Sequence, residues 1–162
     1  MSLPAQRVAD EPALKAAYMQ QFAKFIEWPG DADAPASPRV FCMSDPVVAD
    51  AADGLGADRR IGGRPAVVKR VQPTDDLRSC SILFVGGASA DRIRAFLAAA
   101  KDRSIFTVGD GPAFTQAGGM LHFYSEQNRM RFAVNPASAQ RAGLKLSSQF
   151  LSLATIIKDG QH

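Results

Sequence analysis

Hydrophobic positions along the chain follow two periods, one of three to four residues and one of two, with short unbroken apolar runs between them. In "AYMQQFAKFIEWPG", Leu14, Tyr18, Phe22 and Phe25 recur at steps of four, four and three, which places them on one face of a helix. Trp28 falls at the predicted end of that helix, just before Pro29, a residue that cannot continue it. After a proline- and alanine-rich loop, "RVFCM" reads as a first strand. Asp45-Pro46 then starts a second helix, with Asp45 as N-cap and Pro46 at the first helical position. Its core stripe is Val48, Ala51, Ala52 and Leu55, with Gly54 and Gly56 as stops.

The pattern then changes period. "AVVKRV" reads as a strand, and the nearly all-apolar "CSILFVG" as a strand buried on both faces. A helix capped by Ser89 follows, with Ile93, Phe96, Leu97 and Ala100 inward. "SIFTVGD" is another buried strand, and "GPAFTQAGG" a turn with a short helix. "MLHFYSEQNRMRFAVN" reads as a hairpin with "EQN" at its tip. "PASAQRAG" is a short helix and "LKLSS" a small strand. A last helix, capped by Ser147 or Ser148, turns Phe150, Leu153, Ala154 and Ile157 to the core. Strand–helix–strand alternation predicts parallel pairing with helices on both faces, and the late hairpin makes the sheet mixed. The expected architecture is one α/β domain over residues 13–158, with residues 1–12 a flexible N-terminus or tag remnant and 159–162 a C-terminal tail.

Length and composition agree with one globular domain. The chain has 162 residues, of which 46% are hydrophobic and 22% charged, enough for one substantial core. No apolar run approaches the roughly 20 residues that cross a bilayer. The opening "MSLPAQRVADEP" does not read as a signal peptide, although a leader removed for expression would leave such a start. The net charge is +3. The basic residues lie scattered in pairs (Arg59-Arg60, Lys69-Arg70, Arg92 and Arg94, Arg129 and Arg131) and form no nucleic-acid-binding stripe. The aromatic helix has only Lys15 and Lys24 as cations on its polar face, too few for a membrane-surface anchor.

Chemistry-bearing patterns are sparse. "LFVGGASADR" is a glycine-rich strand-to-helix turn without dinucleotide or P-loop spacing, and reads as a plain turn capped by Ser89. Asp110 ends a strand where a phosphorylated aspartate could sit, yet Asp45 is its one evident acidic companion, so capping is the better role for both. His122 reads as a partly exposed strand residue, and neither it nor His162 has zinc-ligand spacing around it. No nucleophile elbow or Cys–His pair stands out. Neither a catalytic residue nor a metal or cofactor site is expected. Cys42 and Cys80 belong to two strand-like segments; neighbouring strands would let them bridge, at about 4 kcal/mol from loop entropy. Composition balances that bridge evenly against two buried free thiols.

Four segments, "FAKFIEWP", "CSILFVG", "FTVGDGPAFTQAGGM" and "RFAVNPASAQRAGLKLSSQFLSLA", together resemble the YfiR family of small secreted bacterial proteins over nearly the whole chain. The resemblance implies a periplasmic homodimer that represses a membrane-bound diguanylate cyclase by contact with its periplasmic domain. It also implies an outer-membrane lipoprotein that sequesters the repressor, and a dependence on redox state. Less cyclase activity means less cyclic di-GMP and less biofilm. Cys42 and Cys80 match the family's earlier cysteine pair, which implies a bridge between them in the oxidising periplasm. Where the best-known members carry a second pair, this chain has Met120, Leu121, His122 and Phe123. Phe22, Phe25, Trp28, Gly118, Gly119 and Asn135 are the motif residues taken as candidate binding residues. An alternative class is a periplasmic small-molecule sensor with a pocket near the aromatic helix and Trp28; an enzyme ranks third.

Overall fold

The computed structural model describes residues 3–55 and 60–158, with side chains from residue 11 onward. Gly56, Arg59 and the tail from residue 159, with His162, lie outside the described residues. Helix α1 spans Leu3–Lys24 and is followed by a two-residue strand β1 (Ile26–Glu27). Next come β2 (Arg39–Met43), α2 (Pro46–Asp53), β3 (Arg60–Ile61) and β4 (Arg64–Arg70). The middle of the chain holds β5 (Ile82–Val85), α3 (Ala90–Ala100), β6 (Phe106–Asp110) and α4 (Pro112–Gln116). The remainder is β7 (Leu121–Glu126), β8 (Arg129–Val134), α5 (Pro136–Arg141), β9 (Lys145–Leu146), α6 (Ser148–Leu153) and β10 (Thr155–Ile156).

Eight strands form a mixed sheet in the order β10-β8-β7-β6-β5-β2-β4-β3, while β1 and β9 pair separately. The β4-β2-β5-β6-β7 run is parallel throughout, and β7–β8 is an antiparallel hairpin. The hairpin turns on Gln127 and Asn128, both at positive φ (53° and 62°), the backbone a two-residue turn needs to match strand twist. Side chains alternate across the sheet as strand geometry requires. Phe41, Met43, Ile82, Phe84, Phe106 and Val108 face a core under α1 and α2. Val40, Cys42, Leu83 and Val85 face a second core under α3 and Phe114 of α4. Helices thus cover both faces, and the all-apolar central strands exist because each face is buried.

The caps follow the local chemistry. Asp45 accepts from Val47 N at 2.9 Å, Ser89 from Arg92 N at 3.2 Å and Ser147 from Phe150 N at 3.2 Å. Three expectations need correction. First, the first helix stops at Lys24, not at Trp28. Its buried stripe is Ala16, Met19, Phe22 and Ala23, and Leu14 is 42% exposed. Small residues and a methionine, rather than a full set of aromatics, let the helix approach the sheet. Second, α6 ends at Leu153, which is 71% exposed, because the chain then extends to pair β10 with β8. Third, His122 is buried, since its strand turns it under α4.

Phe22 is the centre of the larger core. Its ring stacks on Phe150 at 5.0 Å and meets Phe132 edge-on at 4.8 Å, with Phe123 at 6.0 Å and Tyr18 at 6.1 Å. Truncation of Phe22 to Ala is expected to cost roughly 3–5 kcal/mol, while Leu14→Ala costs under about 1 kcal/mol. Urea unfolding of the two variants checks this; equal losses would contradict the placement of the stripe.

Candidate functional site

Beyond the core helix, the chain turns sharply at Pro29-Gly30, where Gly30 takes a φ of 85°. The loop that follows is folded onto the sheet by two arginines projecting from strands. Arg64 of β4 donates to the carbonyls of Ala34 (2.6 Å), Ser37 (3.2 Å) and Asp31 (3.0 Å). Arg39, at the start of β2, donates to Asp31 Oδ2 at 2.7 Å and lies over the Trp28 ring at 4.2 Å from its centroid. Both arginines are over nine-tenths buried, so their charge must be met by close partners. Asp31 meets it, and also accepts from Trp28 N at 3.0 Å. Burial acts to raise the Asp31 carboxyl, but the hydrogen bonds from Arg39 and the Trp28 amide, with the charges of Arg39 and Arg64, hold it below its usual value.

Trp28 is bound on two sides. Its indole Nε1 donates to Ser81 O at 3.1 Å, and Ser81 in turn donates its backbone N–H to Val40 O and accepts from Val40 N on its hydroxyl. Ser81 follows Cys80, which is joined to Cys42 by a disulfide, with 5.8 Å between the Cα atoms. The bridge lies in the core under α3, beside Leu83 and Phe96. A recess of about 430 Å³ opens here, lined among others by Trp28, Arg39, Arg64, Cys80 and Arg103.

The other motif residues go elsewhere, and each has a structural task. Phe22 is buried, and Phe25 packs partly buried against the same core. Gly118 takes a φ of 113°, and a Cβ on Gly119 would fall within the Phe114 ring. Asn135 N-caps α5 by accepting from Ser138 N at 3.2 Å, and its own amide donates to Met120 O at 2.8 Å. Gly118 and Asn135 therefore support the turn before β7 and the start of α5, apart from Trp28. Asp110, at the end of β6, pairs with Lys15 of α1 at 2.9 Å, and Asp45 caps α2. Among the described residues no group of three or more His, Cys, Asp and Glu is placed to hold a metal ion.

What the sequence did not reveal is a second, larger recess adjoining the first. It holds about 820 Å³ and shares Asp102, Arg103 and Ile105 with the Trp28 recess. The loop at residues 101–105, between α3 and β6, is the wall between the two. Its other side is formed by residues after α4 and along α5, which are distant in sequence and show no common pattern.

Two outcomes follow from this geometry. The disulfide closes a loop of 38 residues in sequence separation; labelling of the unfolded, unreduced protein should find no free thiol, and Cys42→Ala/Cys80→Ala should lose about 3–4 kcal/mol. Two labels per chain would refute the bridge. His122, whose Nδ1 lies 2.9 Å from Thr115 Oγ1, is pushed below its usual pKa by burial. It must take up a proton on unfolding in mild acid, so its contribution is intact above about pH 6.5 and is lost as pH falls from there through the lowered value. The thermal midpoint should fall across that window, and less steeply in His122→Asn.

Comparison with known proteins fits this architecture. Two solved structures share the fold at 11% identity: a conserved domain protein from Vibrio cholerae O1 biovar El Tor strain N16961, with a TM-score of 0.51, and an ABC domain in complex with L-Trp from Streptococcus pneumonia, with a TM-score of 0.52. The chain aligns over 82% and 85% of its own length with these, and spans 60% of each of them. No curated protein matches. The YfiR/HmsC-like family model matches residues 12–155. That span takes in the aromatic helix, both cysteines, the glycine turn and the Asn135 cap, and the chain belongs to the YfiR/HmsC-like family.

Proposed function

We propose that this protein is a periplasmic repressor that holds a membrane-bound diguanylate cyclase inactive by contact with its periplasmic sensor domain. The observation that carries the reading is the family match over residues 12–155, because the YfiR/HmsC-like family is one of regulators of cyclic di-GMP signalling. Among the described residues no helix is long and apolar enough to cross a membrane. The mechanism is a population shift: the repressor binds the inactive arrangement of the sensor domain more tightly than the active one. A homodimer and an outer-membrane lipoprotein that sequesters the repressor belong to the same proposal.

A second reading, a small-molecule sensor, has one observation in its favour, the recess of about 430 Å³ beside Trp28. Against it, the indole N–H and one ring face of Trp28 are already engaged by Ser81 and Arg39. A ligand seated on the ring would have to displace the guanidinium. The repressor reading therefore stands first.

Deletion of the gene should raise cyclic di-GMP, and the purified protein should retain the periplasmic domain of the cognate cyclase in a pull-down. Unchanged cyclic di-GMP in the deletion strain would refute repression. If the sensor reading held instead, a metabolite panel would change the fluorescence of Trp28, the chain's one tryptophan, in the absence of any protein partner.

A further inference from the structure

Among the described residues the mixed sheet ends on β10, a strand of two residues whose Thr155 and Ile156 pair in parallel with Ala133 and Val134 of β8. In a parallel ladder successive residues turn their backbone groups to opposite sides. Ile157 N donates to Val134 O at 2.8 Å, which fixes the alternation here. Thr155 and Ile157 face β8, and the N–H and C=O of Ile156 face away from the sheet. One residue of an added antiparallel strand satisfies such an outward pair with two hydrogen bonds. The apolar side chains at this edge are open as well. Leu153, at the end of α6, is 71% exposed, and Ile156 is 42% exposed.

Natural sheets guard an edge of this kind with a charge, a proline or a bulge. Toward the opposite side of the sheet, β4 ends in Lys69 and Arg70. At the β10 edge no charged residue stands between Lys145 and Lys158, and Thr155, Ile156 and Ile157 are β-branched in succession. The geometry of the amide pair selects the occupant. In an antiparallel ladder two opposed residues exchange both of their hydrogen bonds, so a two-fold axis beside Ile156 satisfies it with Ile156 of a second copy. That register brings the two exposed Ile156 side chains together on one face. It sets Lys158 of each copy opposite Ala154 of the other, so the two lysines do not oppose each other.

We propose that β10 is the edge through which two copies of this chain pair, antiparallel about Ile156, into one continuous sheet. The proposal rests on the homodimer included in the repressor reading above and assigns it a face. The seam is only a few residues long, shorter than a standard interface, so the dimer forms and dissociates with concentration. The loop beside Trp28 is held by Arg39 of β2 and Arg64 of β4, toward the other side of the sheet. It stays outside the seam and open to a further partner.

The test is sedimentation velocity of the full chain over a wide range of protein concentration. Ile156→Pro removes the outward N–H and spares the ladder, because the residues that face β8 are Thr155 and Ile157. Leu153→Lys adds a like charge to each copy at an exposed position, and Leu14→Lys, an exposed position on α1, is the control. Thermal midpoints establish that the variants are folded, and if Ile156→Pro does not fold, Leu153→Lys alone decides. The proposal expects Ile156→Pro and Leu153→Lys each to raise the dimer dissociation constant by about tenfold or more, with Leu14→Lys close to wild type. Dimers of wild-type strength in the folded edge variants would overturn the β10 seam and leave the homodimer standing. A wild-type chain that stays monomeric at every concentration would overturn both, while repression itself is read separately by the pull-down.

Discussion

The contact on which the rest of the fold depends is the packing of Phe22 against Phe150, Phe132 and Phe123. Those four rings come from α1, α6, β8 and β7, elements that lie up to the full length of the domain apart in sequence. Burial of such rings carries most of the free energy available to a domain this size. The loss of one closes no local turn and breaks no strand pairing. It instead removes a side chain shared by the two ends of the chain, next to the β1–β9 pair. Phe25 and Trp28, three and six residues further on, take their positions from that anchor.

Downstream of the anchor, the family-motif residues each make contacts that hold the frame. Trp28 binds the loop to Ser81 and, through it, to the segment held by the disulfide. Gly119 gives room to Phe114, and Asn135 opens α5. Each of these motif residues thus has a structural task of its own within the fold. The larger recess between α3 and α5 draws on the same frame for its shape.

Much of the architecture was legible in the sequence, for identifiable reasons. The strands β2, β5 and β6 are short apolar runs because both of their faces are covered, and a run of that kind has few other readings. Asp45, Ser89 and Ser147 announce helix starts because their side chains can take up otherwise unpaired amides. What failed depended on long-range geometry. Leu14 has the right spacing for the core but is 42% exposed, while Ala16, Met19 and Ala23 do the packing. Ile157 continues an apparent helical pattern, yet the chain is extended there: Thr155 and Ile156 pair with β8 as β10, and Ile157 N donates to Val134 O. The larger recess was invisible for the same cause: its walls on α3 and α5 are separated in sequence by three strands and a helix, and only the fold brings them together.

The ring of Phe114 sits against two glycines at once, Gly109 of β6 and Gly119 of the turn before β7, and neither position has room for a Cβ. For evolutionary change this makes the three positions one unit. A larger residue at either glycine becomes acceptable only after the ring has been replaced by a smaller one, and a smaller residue there leaves a void between sheet and α4 until a glycine is filled. Each single step passes through a less stable protein. Relatives should therefore keep the aromatic residue and both glycines together, or exchange all three, and this coupling would hold the glycine turn steady while the exposed surface around it is free to diverge.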